Sequence, residues 1–212
     1  MDESRSIHYR HGYPLFLNRA KLWGKTFLLA VVVLPMVIPG VIQSLIWSSM
    51  LAMGEYGTLN RFVSLFGVEP IAWLREAPML SVTLVNFWNN SGFAMIMFLA
   101  GLENVPNEVI EAAHIDGASP WQTLIRIRLP LIRYVIMLWL LLNTLGSLGV
   151  FDLVYTLTRG GPGNATQLVG IYIYDQSFKF YELGLGSAAS VILLFLSLVI
   201  GMIYIRLLRV TL

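Results

Sequence analysis

The sequence is short of charge and has no cysteine. Of its 212 residues only 12% are Asp, Glu, Lys or Arg, about half of the ~25% carried by a soluble globular domain. A chain of this length with so little charge cannot cover itself with a water-soluble surface, which excludes an ordinary soluble enzyme or binding module. The absence of cysteine excludes a disulfide framework and thiolate chemistry. The formal net charge of +2 is too small and too scattered for a nucleic-acid surface. The three histidines, His8, His11 and His114, stand far apart in sequence and outside the apolar segments, so a metal cluster is not expected. No internal repeat and no low-complexity tract is evident. What is present instead is apolar: 57% of the residues are hydrophobic and the mean hydropathy is +0.71. Lipid is the solvent that suits such a chain.

A membrane-crossing helix needs about 20 mostly apolar residues. Four segments qualify, at about Thr26 to Met53, Met79 to Leu102, Tyr134 to Phe151 and Leu185 to Ile205. The expected fold is therefore all-α, a membrane helical bundle of about four spans. The first segment carries Pro35 and Pro39, each of which removes a backbone donor, so it kinks or divides into two shorter pieces. The second carries Asn86, Asn89 and Asn90, which lipid-facing helices avoid; that face should look into a bundle or a cavity.

Basic residues orient the bundle. With the N-terminus inside, the cytoplasmic face collects Arg5, Arg10, Arg19, Lys21, Lys25, Arg126, Arg128, Arg133, Arg206 and Arg209, ten of the fourteen Lys and Arg. The opposite orientation reverses that bias. Residues 1–25 then form a cytoplasmic N-terminal segment, 26–207 the transmembrane domain and 208–212 a cytoplasmic tail. The outer loop at 54–78 contains a short amphipathic helix, with Leu59, Phe62, Val63 and Phe66 at helical spacing and Gly67 as its stop. The second outer loop, 152–184, holds the turn signal Gly160-Gly161-Pro162-Gly163.

The inner loop, about 103–130, carries the clearest local code. Pro106 suits the first turn of one short helix and Gly117 its stop. Ser119-Pro120-Trp121-Gln122 has the form of a capping box opening a second helix. Trp121, Leu124 and Ile125 make an apolar ridge beside Gln122 and Arg126, and Pro130 discourages helix at Leu129. A compact helical hairpin with an apolar ridge at the inner membrane face is built to dock on something.

Glu111-Ala112-Ala113, Gly117 four positions on, then Ile127, Leu129 and Pro130 match the inner-loop signature of bacterial ABC importer permeases without a spacing error. Phe151-Asp152-Leu153-Val154-Tyr155-Thr156-Leu157-Thr158-Arg159-Gly160-Gly161-Pro162 with Ala165-Thr166, and Pro39 with Trp47, Tyr56-Gly57 and Asn60, resemble carbohydrate permeases of the maltose and glycerol-phosphate type. The resemblance runs from about Lys25 onward. It implies a type I importer permease fold whose inner hairpin is the coupling helix, with Glu111, Ala112, Ala113, Asp116 and Gly117 meeting the ATPase subunit and Glu111 pairing with a basic residue there. It also implies a non-enzymatic subunit that binds no cofactor itself, ATP and Mg being used by a partner. The implied partners are a second permease, two copies of an ABC ATPase, an extracytoplasmic solute-binding protein, a sugar and membrane lipid. The implied location is the bacterial inner membrane with both termini cytoplasmic. Against that family the chain starts just before the third span, so the first two spans are expected to be missing.

Sugar recognition needs amides and hydroxyls for many hydroxyl groups, and aromatic faces for the apolar side of the ring. Asn86, Asn90 and Phe93 share one helical face of the second span, and Asn143 and Ser147 are four apart on the third. The resemblance places these five at or beside substrate-contacting positions; the alternative is that they only hydrogen-bond neighbouring helices. Gly146 and Val150 fall where family members can carry larger sugar-contacting side chains. A permease for a polyamine or amino acid is a second reading. An intramembrane enzyme is a third, but no His or acidic residue lies well inside a span. A channel would leave the inner hairpin without a purpose. Trp23-Gly24-Lys25-Thr26 resembles the tail of a phosphate-binding loop, yet Arg19 occupies its first glycine position and no strand precedes it. Lys25 reads as a membrane-edge anchor.

Overall fold

A computed structural model describes residues 23–210 of the chain, and all regular structure among them is helical. The basic residues Arg5, Arg10, Arg19 and Lys21, the histidines His8 and His11, and tail residues 211–212 lie outside the described residues.

Helix α1 (Trp23–Val37) and helix α2 (Gly40–Met50) occupy the first expected span, bent from one another by 114°. The corner follows from the chemistry of Pro39. In a continuous helix the carbonyl of Pro35 would accept from the amide of residue 39, and proline has none. The Gln43 side chain takes over: its Nε2 donates to the Pro35 carbonyl and, at 2.9 Å, to that of Ile38. Gln43 is buried at 5% exposure, which an amide tolerates only when it is bonded.

The outer loop that follows holds α3 (Thr58–Ser64) and α4 (Trp73–Glu76). Leu59 and Val63 turn inward on α3 while Phe62 and Phe66 stay exposed, and Gly67 closes the element at φ +75°. Buried Asn60 ties the loop together. Its Nδ2 donates to the carbonyls of Ala52 (3.1 Å) and Ile71 (2.9 Å), and its Oδ1 accepts from the Ile71 amide (3.0 Å) and Trp73 Nε1 (2.8 Å).

Helix α5 (Pro78–Glu103) has 26 residues, about 39 Å at 1.5 Å per residue. Proline at its first position costs no hydrogen bond. After a 72° bend comes α6 (Asn107–Ile115), and then α7 (Pro120–Thr123). The chain continues through a π-helical turn at Leu124–Arg128 into α8 (Leu129–Leu131). Here the structure corrects the sequence reading, because Leu129 is helical (φ −61°, ψ −44°). The widened turn upstream relaxes the strict i to i−4 ladder, so Pro130 is carried in a short helical turn. The break falls instead at Ile132 (φ −93°, ψ 11°).

Helix α9 (Arg133–Leu148) follows, then α10 (Asp152–Leu157), α11 (Val169–Tyr174), a π-helical turn at Asp175–Lys179, and α12 (Leu183–Val210). Among the described residues α12 alone is long and apolar enough to cross a membrane unaided, over Leu183–Leu208 with mean hydropathy 2.6. The count rises to three if α1 with α2 and α5 with α6 are each one bent span. At 16 residues, α9 spans about 24 Å, short of the ~30 Å hydrocarbon core. It ends at Leu148 with Gly149 as its cap, three residues before the expected limit at Phe151.

Packing pairs α1 with α5, α5 with α9, α9 with α12 and α2 with α10. The buried core comprises Leu51, Val82, Val85, Leu153, Val154, Leu157 and Ile171. It sits where α2, α5, α10 and α11 meet, toward the outer loops. None of the apolar window of α12 is buried within the chain. That is how a helix solvated by lipid or a neighbouring membrane subunit looks.

Candidate functional site

A cavity of about 690 Å³ opens between α1, α5 and α9. Four of the five residues singled out for a solute line it: Asn86 and Asn90 from α5, Asn143 and Ser147 from α9. Phe93 is not in the lining; it stands 38% exposed on α5. Asn90 Nδ2 donates to the Asn86 carbonyl (2.8 Å) and to Asn86 Oδ1 (3.1 Å), which fixes the orientation of the paired amides. The same lining holds Phe98, two turns beyond Asn90 on α5, and Trp139 of α9, packed edge-to-face with centroids 5.4 Å apart. Amides beside aromatic faces match a solute with many hydroxyl groups and an apolar side.

A second cavity of about 310 Å³ adjoins the break between α9 and α10. Its lining includes Gly40 from α2, Asn86 and Asn89 from α5, and Gly149 through Leu153. Asn86 lines both cavities. Among the described residues Asn89 Oδ1 is buried without a hydrogen-bond partner, a costly state that a bound solute or water relieves.

The outer loop beyond α10 is built on Thr166, which is fully buried. Its Oγ1 donates to the Gly161 carbonyl (2.9 Å) and lies 2.6 Å from Thr158 Oγ1, closing the glycine-rich turn on α10. Gly160 at φ +85° needs a residue without Cβ there. Further on, a hydrogen bond from the Lys179 ammonium to Asp175 holds the lysine above its usual pKa, beside the rings of Tyr155 and Tyr174.

The inner hairpin is set by two local motifs. At the end of α6, Gly117 N donates to the His114 carbonyl (3.1 Å) and Ala118 N to that of Ala113 (2.9 Å), with Gly117 at φ +78°. That is a Schellman stop. Ser119 and Gln122 then form a complete capping box, Gln122 N to Ser119 Oγ at 3.3 Å and Ser119 N to Gln122 Oε1 at 2.8 Å. Pro106 stands at the N-cap of α6, one residue earlier than the sequence suggested, with Asn107 opening the helix. Ala113 faces inward and is buried, whereas Glu111, Ala112, Asp116 and Gly117 lie on the exposed side. Ile115 (86%) and Trp121 (68%) are exposed apolar side chains on the same hairpin.

Residues 14–210 match the family model described as binding-protein-dependent transport system inner membrane component. The chain belongs to that family. A trehalose/maltose transport system permease protein of Thermococcus litoralis is 35% identical over 199 residues, covering 92% of this chain and 65% of the relative. A sulfoquinovosyl glycerol transport system permease protein of Agrobacterium fabrum is 35% identical over 157 residues, covering 73% and 51%. The chain thus spans about half to two thirds of the length of these curated relatives. In fold it is similar to a chain of a bacterial alginate ABC transporter, crystallised in complex with an alginate pentasaccharide-bound periplasmic protein. The TM-score is 0.80 at 24% identity, covering 93% of this chain and 70% of that one.

In this inner-membrane component, sequence reasoning passed over Trp139 and Thr83, which line the larger cavity. It had noted Asn89 only as part of a polar face. For Trp139 the signal was present: 139, 143 and 147 recur every four residues, one helical face. Asp152 was noted only within the run that carries the resemblance, because its place in the wall of the smaller cavity depends on how α10 folds back against α2 and α5.

Proposed function

We propose that the chain is the transmembrane subunit of an ATP-driven importer and forms part of the translocation pathway for a saccharide. One observation carries this reading: Asn86, Asn90, Asn143 and Ser147 converge with Phe98 and Trp139 on a single cavity large enough for a disaccharide. The family supports an importer, and relatives named for trehalose/maltose, sulfoquinovosyl glycerol and lactose support a sugar. In this reading the chain is not an enzyme and holds no cofactor. ATP and Mg act on two copies of a partner ATPase, whose cleft receives the hairpin carrying Glu111, Ala112, Ala113, Asp116 and Gly117. A second permease completes the pathway, and an extracytoplasmic binding protein delivers the sugar. Both termini face the cytoplasm.

The test is uptake by proteoliposomes containing the complete transporter and its binding protein, offered maltose, trehalose and lactose. ATP-dependent accumulation of at least one is expected. Accumulation of a polyamine or an amino acid, with no saccharide carried, overturns the proposal.

A further inference from the structure

The outward face of α3 is oriented by the bonds made on its opposite side. There Leu59 packs against the buried core, and buried Asn60 donates to the carbonyls of Ala52 and Ile71 and accepts from the Trp73 indole. With that side pinned, Phe62 (58%), Leu65 (79%) and Phe66 (72%) stay exposed, the two phenylalanine rings packed edge-to-face at 5.4 Å. Tyr56, just before α3, is almost wholly exposed. Arg61 is the only charged residue from 56 to 68. The same bonds set the height of this face. Trp73 donates to Asn60 Oδ1 at 2.8 Å, and its own carbonyl accepts from Ser81 Oγ at 3.0 Å, in the first turn of α5. Ala52, the other end of the tether, lies two residues beyond α2. Helix α5 is about 39 Å long against a hydrocarbon core of ~30 Å, so its outer end stands in the headgroup layer. Tied to that end, α3 cannot stand off from the membrane.

Large apolar side chains at headgroup depth, rich in aromatic rings and flanked by one arginine, have the composition of a segment lying in the membrane interface. A docking face for a soluble protein is about as polar as the rest of a protein surface, and its charges steer the encounter. This face offers a single charge. We propose that Phe62, Leu65 and Phe66 are immersed in the outer leaflet, which makes α3 a lipid anchor holding the first outer loop against the bilayer. Arg61 beside them is suited to a lipid phosphate. The anchor works in the same way whatever solute is carried.

Because the chain has no cysteine, a nitroxide can be placed at Leu65→Cys or Phe66→Cys in the complete transporter, with any cysteines of its other subunits replaced. The carrier is a vesicle of phosphatidylethanolamine and phosphatidylglycerol, and collisions with oxygen and with a water-soluble nickel chelate read the depth of the label. Both labels should lie about 5–10 Å into the boundary between headgroups and acyl chains. A label at Asn164→Cys, exposed in the glycine-rich loop, should read as water. Adding Phe66→Glu should move the label at residue 65 out into water. It should leave the thermal midpoint in detergent unchanged, since the ring it removes is mostly exposed. Labels at 65 and 66 as accessible to nickel as the one at 164 overturn the anchor. Shielding that appears only when the binding protein is added overturns it in favour of a docking site for that protein. Shielding from oxygen and nickel alike, or a fall in midpoint with Phe66→Glu, overturns it in favour of packing against the second permease.

Discussion

Gly92 on α5 lies so close to Val32 on α1 that a Cβ added to it would stand 2.7 Å from the Val32 carbonyl oxygen. The contact is backbone against backbone, so neither side can rotate away. Gly92→Ala should force the two helices apart and cost about 1–3 kcal/mol, as overpacking does. Gly201→Ala on α12 meets no atom within 4 Å and should be neutral or mildly stabilising, since alanine is the better helix former. Thermal midpoints of the purified proteins in detergent compare the two directly. Equal losses would refute the close-packing account.

Asn60 should be the most sensitive polar residue of the first outer loop. Asn60→Leu keeps the volume and removes four hydrogen bonds, stranding a backbone amide, two carbonyls and an indole N–H. With about 1–3 kcal/mol for each stranded buried group that finds no water, the loop should open to protease between residues 52 and 78. Unchanged cleavage would mean that Asn60 is dispensable.

The hairpin offers a conformational test. A Cβ on Gly117 meets nothing within 4 Å, so any effect of Gly117→Val comes from its φ of +78°. A β-branched residue there costs on the order of 1–2 kcal/mol and misdirects α7. Gly117→Asn, which tolerates the left-handed region, should recover most of the function. Glu111→Lys should weaken co-purification of the ATPase subunit. If Gly117→Val transports normally and Glu111→Lys retains its ATPase, the hairpin does not couple.

Asn86→Leu separates the two meanings of a polar face. As a solute contact, its loss should reduce transport about tenfold or more, from roughly 1–3 kcal/mol of lost pairing. ATPase stimulation by the loaded binding protein should fall less. As a helix-to-helix bond, its loss should lower complex yield and both activities in parallel. Unchanged transport of every sugar in the panel would eliminate Asn86 and leave Asn143 as the next candidate.

Topology is open to single-cysteine labelling, because the chain has no cysteine of its own. Ala118→Cys, in the hairpin, should react with an impermeant maleimide only from inside. Asn164→Cys, exposed in the glycine-rich loop, should react only from outside. Reaction of both from one side would contradict the orientation drawn from the basic residues.

Local chemistry was legible in the sequence, and contacts between distant segments were not. Ser119 with Gln122 and Gly117 after α6 could be read directly, because each motif is completed within a few residues. The polar residues of the larger cavity were legible because Asn86 with Asn90 and Asn143 with Ser147 repeat at the helical period. Phe93 shares that period yet stays out of the lining, since the edge of a cavity is set by where α1 and α9 cross α5. The angle at Pro39 and the helical state of Leu129 were beyond reach for the same reason. A proline announces a lost donor, but Gln43 and a π-helical turn decide what replaces it. Asn60 was seen only as part of a resemblance; its four partners lie 8 to 13 residues away.

The corner at Ile38 and Pro39 has a mechanical consequence. A helix broken in lipid usually leaves carbonyls that can be satisfied only by reshuffling neighbours, and such a joint changes angle readily. Here the two carbonyls facing the gap, those of Pro35 and Ile38, are both held by one amide rooted a turn further along, on Gln43 of α2. The side chain acts as a brace across the inside of an elbow. Force applied to α2 is therefore delivered to α1 as rotation of the whole bent piece, and through the Gly92 contact to α5, instead of being absorbed by flexing at the prolines.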